Sequence, residues 1–370
     1  MRILVGNNQL IQTGGTESYT FALAISLKKI GHEVEYFTFA RGFVSEQLET
    51  CGIPFMSHDY YDLILANHTP VVEHLFCYGF IIQTCHGIIL DLEQPSPFAD
   101  MYVCISEEIK NHLQNIGIKS DVMLNGIDCN RFTPYNPIHS NLNCVLSLCQ
   151  SDIANNFIKE CCDSISDGNI EFISCNKFTD NVWEIEKRIN QADLVVGIGR
   201  SLYDAMACGR CVISYDYRPY HSTAVGDGYL SKNNIQQSIA YNCSGRGLNK
   251  TFTKAEFILE LKKYNPEDGR WARCYALENL NIEKSAKRYL EYYDNNKDKV
   301  SGIERQKLIK VRTLHTMKET EMNNRITILE EKLLQISKKR NKYLKTIRAI
   351  VYIVPSFIVI IIVIFFILFS

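Results

Sequence analysis

Short apolar runs alternate with helix-like stretches along the first 300 or so residues, and this alternation is the strongest constraint on the fold. Ile3–Gly6, Val34–Phe39, Asp62–Ala66, Phe80–Cys85, Tyr102–Ile105 and Val122–Leu124 read as strands. Thr16–Ile30 has helical periodicity and stops at Gly31; Ser106 is placed to cap a helix with Glu107 and Glu108 in its first turn and Gly117 past its end. The plan repeats with strands Cys144–Leu148, Ile170–Ser174, Asp193–Val196 and Val212–Ser214, separated by helical stretches at Asn155–Ile165, Val182–Asn190 and Ser201–Cys208. Such alternation means parallel sheets covered by helices on both faces. The halves join near Thr133–Asn143, which carries Pro134 and Pro137. The expected fold class is α/β: two Rossmann-like domains, residues 1–138 and 139–297, facing one cleft. The stretch from Trp271 to Tyr293 is expected to cross back to the first domain. Ligands of such sheets bind outside the carboxyl ends of the strands, so both halves should line the same site.

The C-terminal part is different in kind. Ala349–Phe369 is an uncharged apolar run of 21 residues, long enough to cross a bilayer as a helix. Lys338, Lys339, Arg340, Lys342, Lys345 and Arg348 stand just before it, and such charge is retained on the cytoplasmic side. Residues 298–347 read as a helical stalk. Met322, Ile326, Leu329, Leu333, Ile336, Tyr343 and Ile347 follow steps of four and three, with Arg340 in the remaining slot. That seam suits a coiled coil giving a homodimer, or a single amphipathic helix lying on anionic lipid or on the protein's own body.

Lys299 to Arg348 holds fourteen basic and five acidic residues, while the whole chain has a net charge of −1. The globular part is therefore acidic, which argues against a nucleic-acid partner. The fourteen cysteines are scattered through strands and helices without zinc-site spacing. With no signal peptide before the first strand, they point to a reduced, cytoplasmic compartment.

Four features fall at strand ends. Gly14 and Gly15 follow the first strand and let backbone N–H groups approach a ligand. His86, after Phe80–Cys85, points into the expected cleft, where it can bond a sugar hydroxyl or a developing charge. Asn125-Gly126 reads as a tight interdomain turn that accepts positive φ. Gly197-Ile198-Gly199-Arg200-Ser201 leads into Leu202-Tyr203-Asp204-Ala205-Met206-Ala207-Cys208-Gly209, a short helix of small residues closed by glycine. Read as an acid near a helix start, Asp204 suits the hydroxyls of a ribose, and the free N–H groups suit phosphates. The alternative is an ordinary βαβ turn with a solvated aspartate.

In this order the segments resemble retaining glycosyltransferases of the GT-B fold, in the large family 4-like group. The resemblance rests on Gly14-Gly15-Thr16-Glu17, on His86, on Val103 to Leu113 with Ser106-Glu107, on Asn125 through Pro134, and on Asp204 through Ile213. It covers about residues 1–290 and leaves out the stalk and the apolar tail. It implies transfer of a sugar from a nucleoside-diphosphate sugar, with retention and without a bound metal or other cofactor.

Departures are plain. The second acid of the family's E-x7-E pair is Asp204, one methylene shorter, and the first falls at Val196. The arginine and lysine that grip the donor diphosphate are missing from Ser147–Ala154. Arg200 offers a substitute cation beside free helix N–H groups; the alternative is a structural ion pair with the other domain.

The expected donor site is therefore Gly14, Gly15, Gly199, Arg200, Ser201 and Asp204, with His86 as the catalytic residue. Arg200→Ala is expected to abolish donor turnover and leave the fold intact. The simplest acceptor for a tail-anchored enzyme on the cytoplasmic face of a membrane is a lipid-linked molecule or glycan, in surface polysaccharide or glycolipid synthesis. A catalytically degenerate scaffold and a sugar-nucleotide epimerase are the rival readings.

Overall fold

A computed structural model of the chain describes residues 1–165, 170–176, 180, 182–220, 222–298, 317–318, 320–345 and 347. Met1–Gly302 forms one compact unit and Ile303–Ser370 a second.

In the first unit the strands are β1 (Arg2–Gly6), β2 (Glu33–Phe37), β3 (Tyr61–Ala66), β4 (Gly79–Cys85), β5 (Met101–Cys104), β6 (Asp121–Val122), β7 (Cys144–Ser147), β8 (Glu171–Ser174), β9 (Leu194–Gly197), β10 (Cys211–Asp216) and β11 (Val225–Leu230). The helices are α1 (Gly15–Lys29), α2 (Phe43–Thr50), α3 (Thr69–Leu75), α4 (Glu107–Asn115), α5 (Asp152–Asp163), α6 (Ile185–Ile189), α7 (Arg200–Ala207), α8 (Ile235–Ala240), α9 (Lys254–Leu261), α10 (Pro266–Tyr275) and α11 (Ile282–Asn296).

The strands build two sheets, ordered β2-β1-β3-β4-β5-β6 and β11-β10-β9-β7-β8. Every pairing in the first is parallel. In the second, β11 runs antiparallel to β10, a departure from the all-parallel expectation. Its sequence Val-Gly-Asp-Gly-Tyr-Leu hides an edge strand, since two glycines and an acid break the apolar run. Both sheets are covered on each face by separate apolar clusters. That explains why residues 3–5 of β1, 63–66 of β3 and 194–196 of β9 read as continuous apolar runs rather than alternating ones.

Local signals act as written. Ser106 caps α4 by accepting from Ile109 N at 3.3 Å, and Gly117 beyond it takes φ +82°. The stretch Trp271–Tyr293 is not one helix: α10 runs into a π-turn at Ala276–Leu280, and α11 starts afresh with Asn281 as its cap. Its crossing is as expected. Ile282, Ala286 and Tyr289 join the core of the first sheet, and the Tyr289 hydroxyl hydrogen-bonds Tyr19 and Thr84, each at 2.8 Å.

The chain thus passes between lobes twice, and the two crossings pair. Ile127 N donates to Leu280 O at 2.6 Å, and Ile282 N to Ile127 O at 2.9 Å. Gly126 does not have positive φ, contrary to expectation. Glycine is needed because a Cβ would lie 2.7 Å from Ile282 Cδ1, 2.8 Å from Ser285 Oγ and 2.9 Å from the Ile282 Cα.

In the second unit residues 320–345 are helical. Met322, Ile326, Leu329, Leu333, Ile336, Tyr343 and Ile347 are all exposed. Among the described residues no helix is long and apolar enough to cross a membrane; the expected span Ala349–Phe369 lies outside them.

Gly126→Ala is expected to lower stability by about 1–3 kcal/mol, the usual cost of overpacking. Urea unfolding at a single pH checks this, and a midpoint equal to wild type refutes the packing account of that turn.

Candidate functional site

A cleft of about 490 Å³ lies between the lobes, lined by loops that follow β1, β4, β7, β8, β9 and β10. The sequence-derived residues Gly14, Gly15, His86, Gly199, Arg200, Ser201 and Asp204 all line it. The two lobes also touch at its rim. The Trp183 indole packs edge-on against Phe21 and Phe43, at 5.0 and 5.4 Å between ring centres. Arg246 pairs with Glu108 of α4, donating Nε to Oε1 at 2.8 Å and Nη2 to Oε2 at 2.5 Å.

The two glycines differ in role. A Cβ on Gly14 would lie 2.2 Å from Glu17 Oε2, so the side chain at the start of α1 takes up that space. A Cβ on Gly15 would meet nothing within 4 Å, so that residue leaves open room in the cleft. Gly199 precedes α7 with φ +60°, a conformation that strains any side-chain-bearing residue.

The sequence places Arg200 as a cation for phosphate and Asp204 as an acid near a helix start, and both need revision. Arg200 is the first residue of α7 and only 8% exposed. Its Nη1 donates to Asn125 Oδ1 at 3.0 Å and to Gly126 O at 2.8 Å. Much of its donor capacity therefore holds the interlobe turn, through an amide and a carbonyl rather than an acid. Arg200→Ala is therefore expected to cost stability as well as turnover, because Gly126 O would lose its charged donor. Asp204 lies in the second turn, and the first turn of α7 has no acid. It is 8% exposed, and burial raises its carboxyl to about pKa 6, against the lowering effect of Arg200 and Arg131.

These two side chains share an unmet need. Arg200 Nε and Asp204 Oδ1 are buried without a hydrogen-bond partner, 3.8 Å apart, too far to satisfy each other. Arg218 Nε and Asn242 Oδ1, on two further residues of the cleft wall, are likewise buried and unpartnered. Two orphan donors and two orphan acceptors in one cleft describe the complement of a polar ligand.

His86 is neutral. Burial, with His68 and Arg200 nearby, drives its imidazole down to about pKa 3. The tautomer follows from its neighbour. Asn67 donates Nδ2 to Thr20 Oγ1 and Gly6 O, so its Oδ1 accepts from His86 Nε2 at 2.9 Å. Nδ1 is left as the lone-pair acceptor. His86 can receive a hydroxyl proton in a hydrogen bond, but it brings no positive charge to oppose a leaving group.

Sequence reasoning missed Arg131, Arg218, Arg246, Asn242 and Glu93, which also line the cleft. The signal for Arg218 was available: Asp216-Tyr217-Arg218 stands at the carboxyl end of an apolar strand. Glu93 has no local signal. The loop after His86 folds back so that its carboxylate occupies the space over Gly87, and burial raises its pKa.

No family model matches the sequence, and no curated protein matches it. Solved structures do share its fold. HepE of Anabaena, determined with UDP and glucose, is 14% identical with a TM-score of 0.54, over 80% of this chain and 99% of that one. A Listeria monocytogenes protein described as a UDP-N-acetylglucosamine 2-epimerase is 11% identical with a TM-score of 0.51, over 81% and 97%. The likeness establishes the two-lobed arrangement of Rossmann-like domains known as GT-B.

An ionised Asp204 can accept from two hydroxyls, and a protonated one loses that capacity. Ligand affinity is therefore expected to be full above about pH 7, halved near pH 6 and lower still below it. Calorimetric titration from pH 5 to 8 checks this. In Asp204→Asn the acid-side loss should vanish; a slope that survives assigns it to another group.

Proposed function

We propose that this chain transfers a sugar from a nucleoside-diphosphate sugar, bound mainly by the second lobe, to an acceptor entering the same cleft. The observation that carries this is the set of buried, unpartnered polar atoms on Arg200, Asp204, Arg218 and Asn242 around one cavity. The two-lobed fold and the ordered motifs from Gly14 to Ile213 support it.

In this reading Asp204 Oδ1 accepts from a ribose hydroxyl and Arg200 Nε donates to the same diol. The Gly199 N–H is taken by Cys243 O, so the amides of Arg200 and Ser201 at the start of α7 face the diphosphate, where charge grows as the glycosidic bond breaks. His86 Nδ1 accepts from a hydroxyl of the donor sugar and fixes its orientation. Gly15 leaves room for the phosphates beneath the first lobe. Retention and independence of metal belong to the reading through the family resemblance alone.

The acceptor is proposed to be lipid-linked or a glycan at the cytoplasmic face of a membrane. The apolar run Ala349–Phe369 and the basic residues before it support that location. The exposed seam from Met322 to Ile347 supports pairing with a second copy, since a solvent-facing heptad stripe gains most by burial against its own kind.

Calorimetry of the full chain with UDP-, GDP- and ADP-sugars is the first test. One donor should bind, and Asp204→Ala should weaken it by about tenfold to a hundredfold, the range for a hydrogen bond to a charged group. A chain that binds none of them is not a transferase of this kind. Consumption of donor with no second substrate would point to epimerisation instead.

For the stalk, Leu329→Asp with Leu333→Asp is expected to convert a dimer to a monomer in analytical ultracentrifugation. A wild-type chain that sediments as a monomer at micromolar concentration overturns the pairing.

A further inference from the structure

The loop after β7, Leu148-Cys149-Gln150-Ser151, carries no basic residue, yet it faces the cleft through Leu148 and Gln150. The cation beside it comes from elsewhere in the chain. Arg218, two residues past the end of β10, donates Nη1 to Gln150 Oε1, and its Nη2 lies 3.2 Å from Asp216 Oδ2. Asp216 is itself fixed. Its carboxylate is buried and accepts from Gln150 N at 3.2 Å and from Tyr217 N at 2.8 Å. The end of β10, the loop after β7 and the guanidinium are thus tied into one bonded unit. A further bond from Asn176 Nδ2 to Gln150 O at 3.1 Å holds the unit to the segment after β8.

A guanidinium held on both terminal nitrogens has a fixed plane. Of its five N–H donors, Nε–H is the one that is buried and has no partner. Two of the cleft's other arginines spend Nε on a carboxylate, and the third spends a terminal nitrogen on the backbone. Arg246 is taken up by both oxygens of Glu108. Arg131 gives Nε and Nη2 to Glu186 and stacks on the Trp183 ring at 4.4 Å. Arg200 gives Nη1 to the interlobe turn, and its own unpartnered Nε lies beside Asp204 at 3.8 Å.

We propose that Arg218 is the anchor for the diphosphate of the nucleotide, replacing from the β10–β11 connection the bases that the loop after β7 lacks. This rests on the nucleotide-sugar reading of the cleft and deepens it by naming the group that reads the anion. Gln150 and Asp216 act as positioning residues: they set the plane of the guanidinium, and Nε–H donates to a phosphate oxygen. An arginine offers a directed donor as well as a charge, which a lysine at the same place supplies only in part.

The test separates charge recognition from folding by using two probes on the same full-length protein. Binding of UDP, ADP and GDP is measured by calorimetry alongside uridine, adenosine and guanosine. For the base that binds, Arg218→Gln is expected to weaken the nucleoside diphosphate by about tenfold to a hundredfold. The matching nucleoside should change by less than about twofold. Arg218→Lys should recover part of the loss. Undiminished diphosphate binding in Arg218→Gln overturns the assignment and leaves the transferase reading standing. Equal loss of nucleoside and diphosphate also overturns it, because it marks Arg218 as structural. A wild-type chain that binds no nucleoside diphosphate overturns both this assignment and the reading beneath it.

Discussion

A single buried guanidinium, that of Arg200, joins the two lobes to the cleft between them. It starts helix α7 of the second lobe and donates to Asn125 and Gly126 of the turn that enters from the first. The same turn continues into Ile127, which pairs with the returning chain at Leu280 and Ile282. Burying a cation this deeply is costly unless its donors are met. Here the turn meets Nη1, Asp204 offers an opposite charge at 3.8 Å, and Nε is left over. The unmet donor is what links the architecture to a ligand.

The arginines of this protein divide by the same logic of satisfaction. Arg210 is fully buried and gives its nitrogens to the carbonyls of Cys208, Ala192 and Asn136 and to Asn190 Oδ1. Arg273 binds the carbonyls of Cys129, Phe132 and Ala207, fastening the segment after the interlobe turn to the end of α7. Those two are spent chiefly on backbone carbonyls and are structural. Arg200 and Arg218 keep a buried, unpartnered Nε on the cleft wall, a donor whose need a ligand can meet. The acids follow suit: Asp193 is spent on three backbone N–H groups, from His139, Asn143 and Cys144, whereas Asp204 is not.

Much of this was legible in the residues. Nearly every strand was visible because buried parallel strands are written as unbroken apolar runs. The cap at Ser106 was visible because its chemistry is local, and the glycines at 14, 15 and 199 because their position after strands has few other uses. The antiparallel strand β11 was hidden, since Gly226, Asp227 and Gly228 carry no strand pattern of their own. Gly226 is required there by the Ser214 carbonyl, which a Cβ would approach to 2.1 Å. Gly126 was correctly placed at the interdomain turn for the wrong reason: its constraint is the approach of α11, more than 150 residues later.

By itself, the sequence determined the order of elements, the two-lobe plan and which loops meet at one cleft. All of these depend on periodicity and on short-range backbone chemistry. Tertiary structure alone decided how each charged side chain is spent. It gave Arg200 to the interlobe turn, held the His86 ring through Asn67, and brought Arg218 to a loop 68 residues earlier in the chain. A side chain's free valences depend on partners distant in sequence, and no local pattern records them.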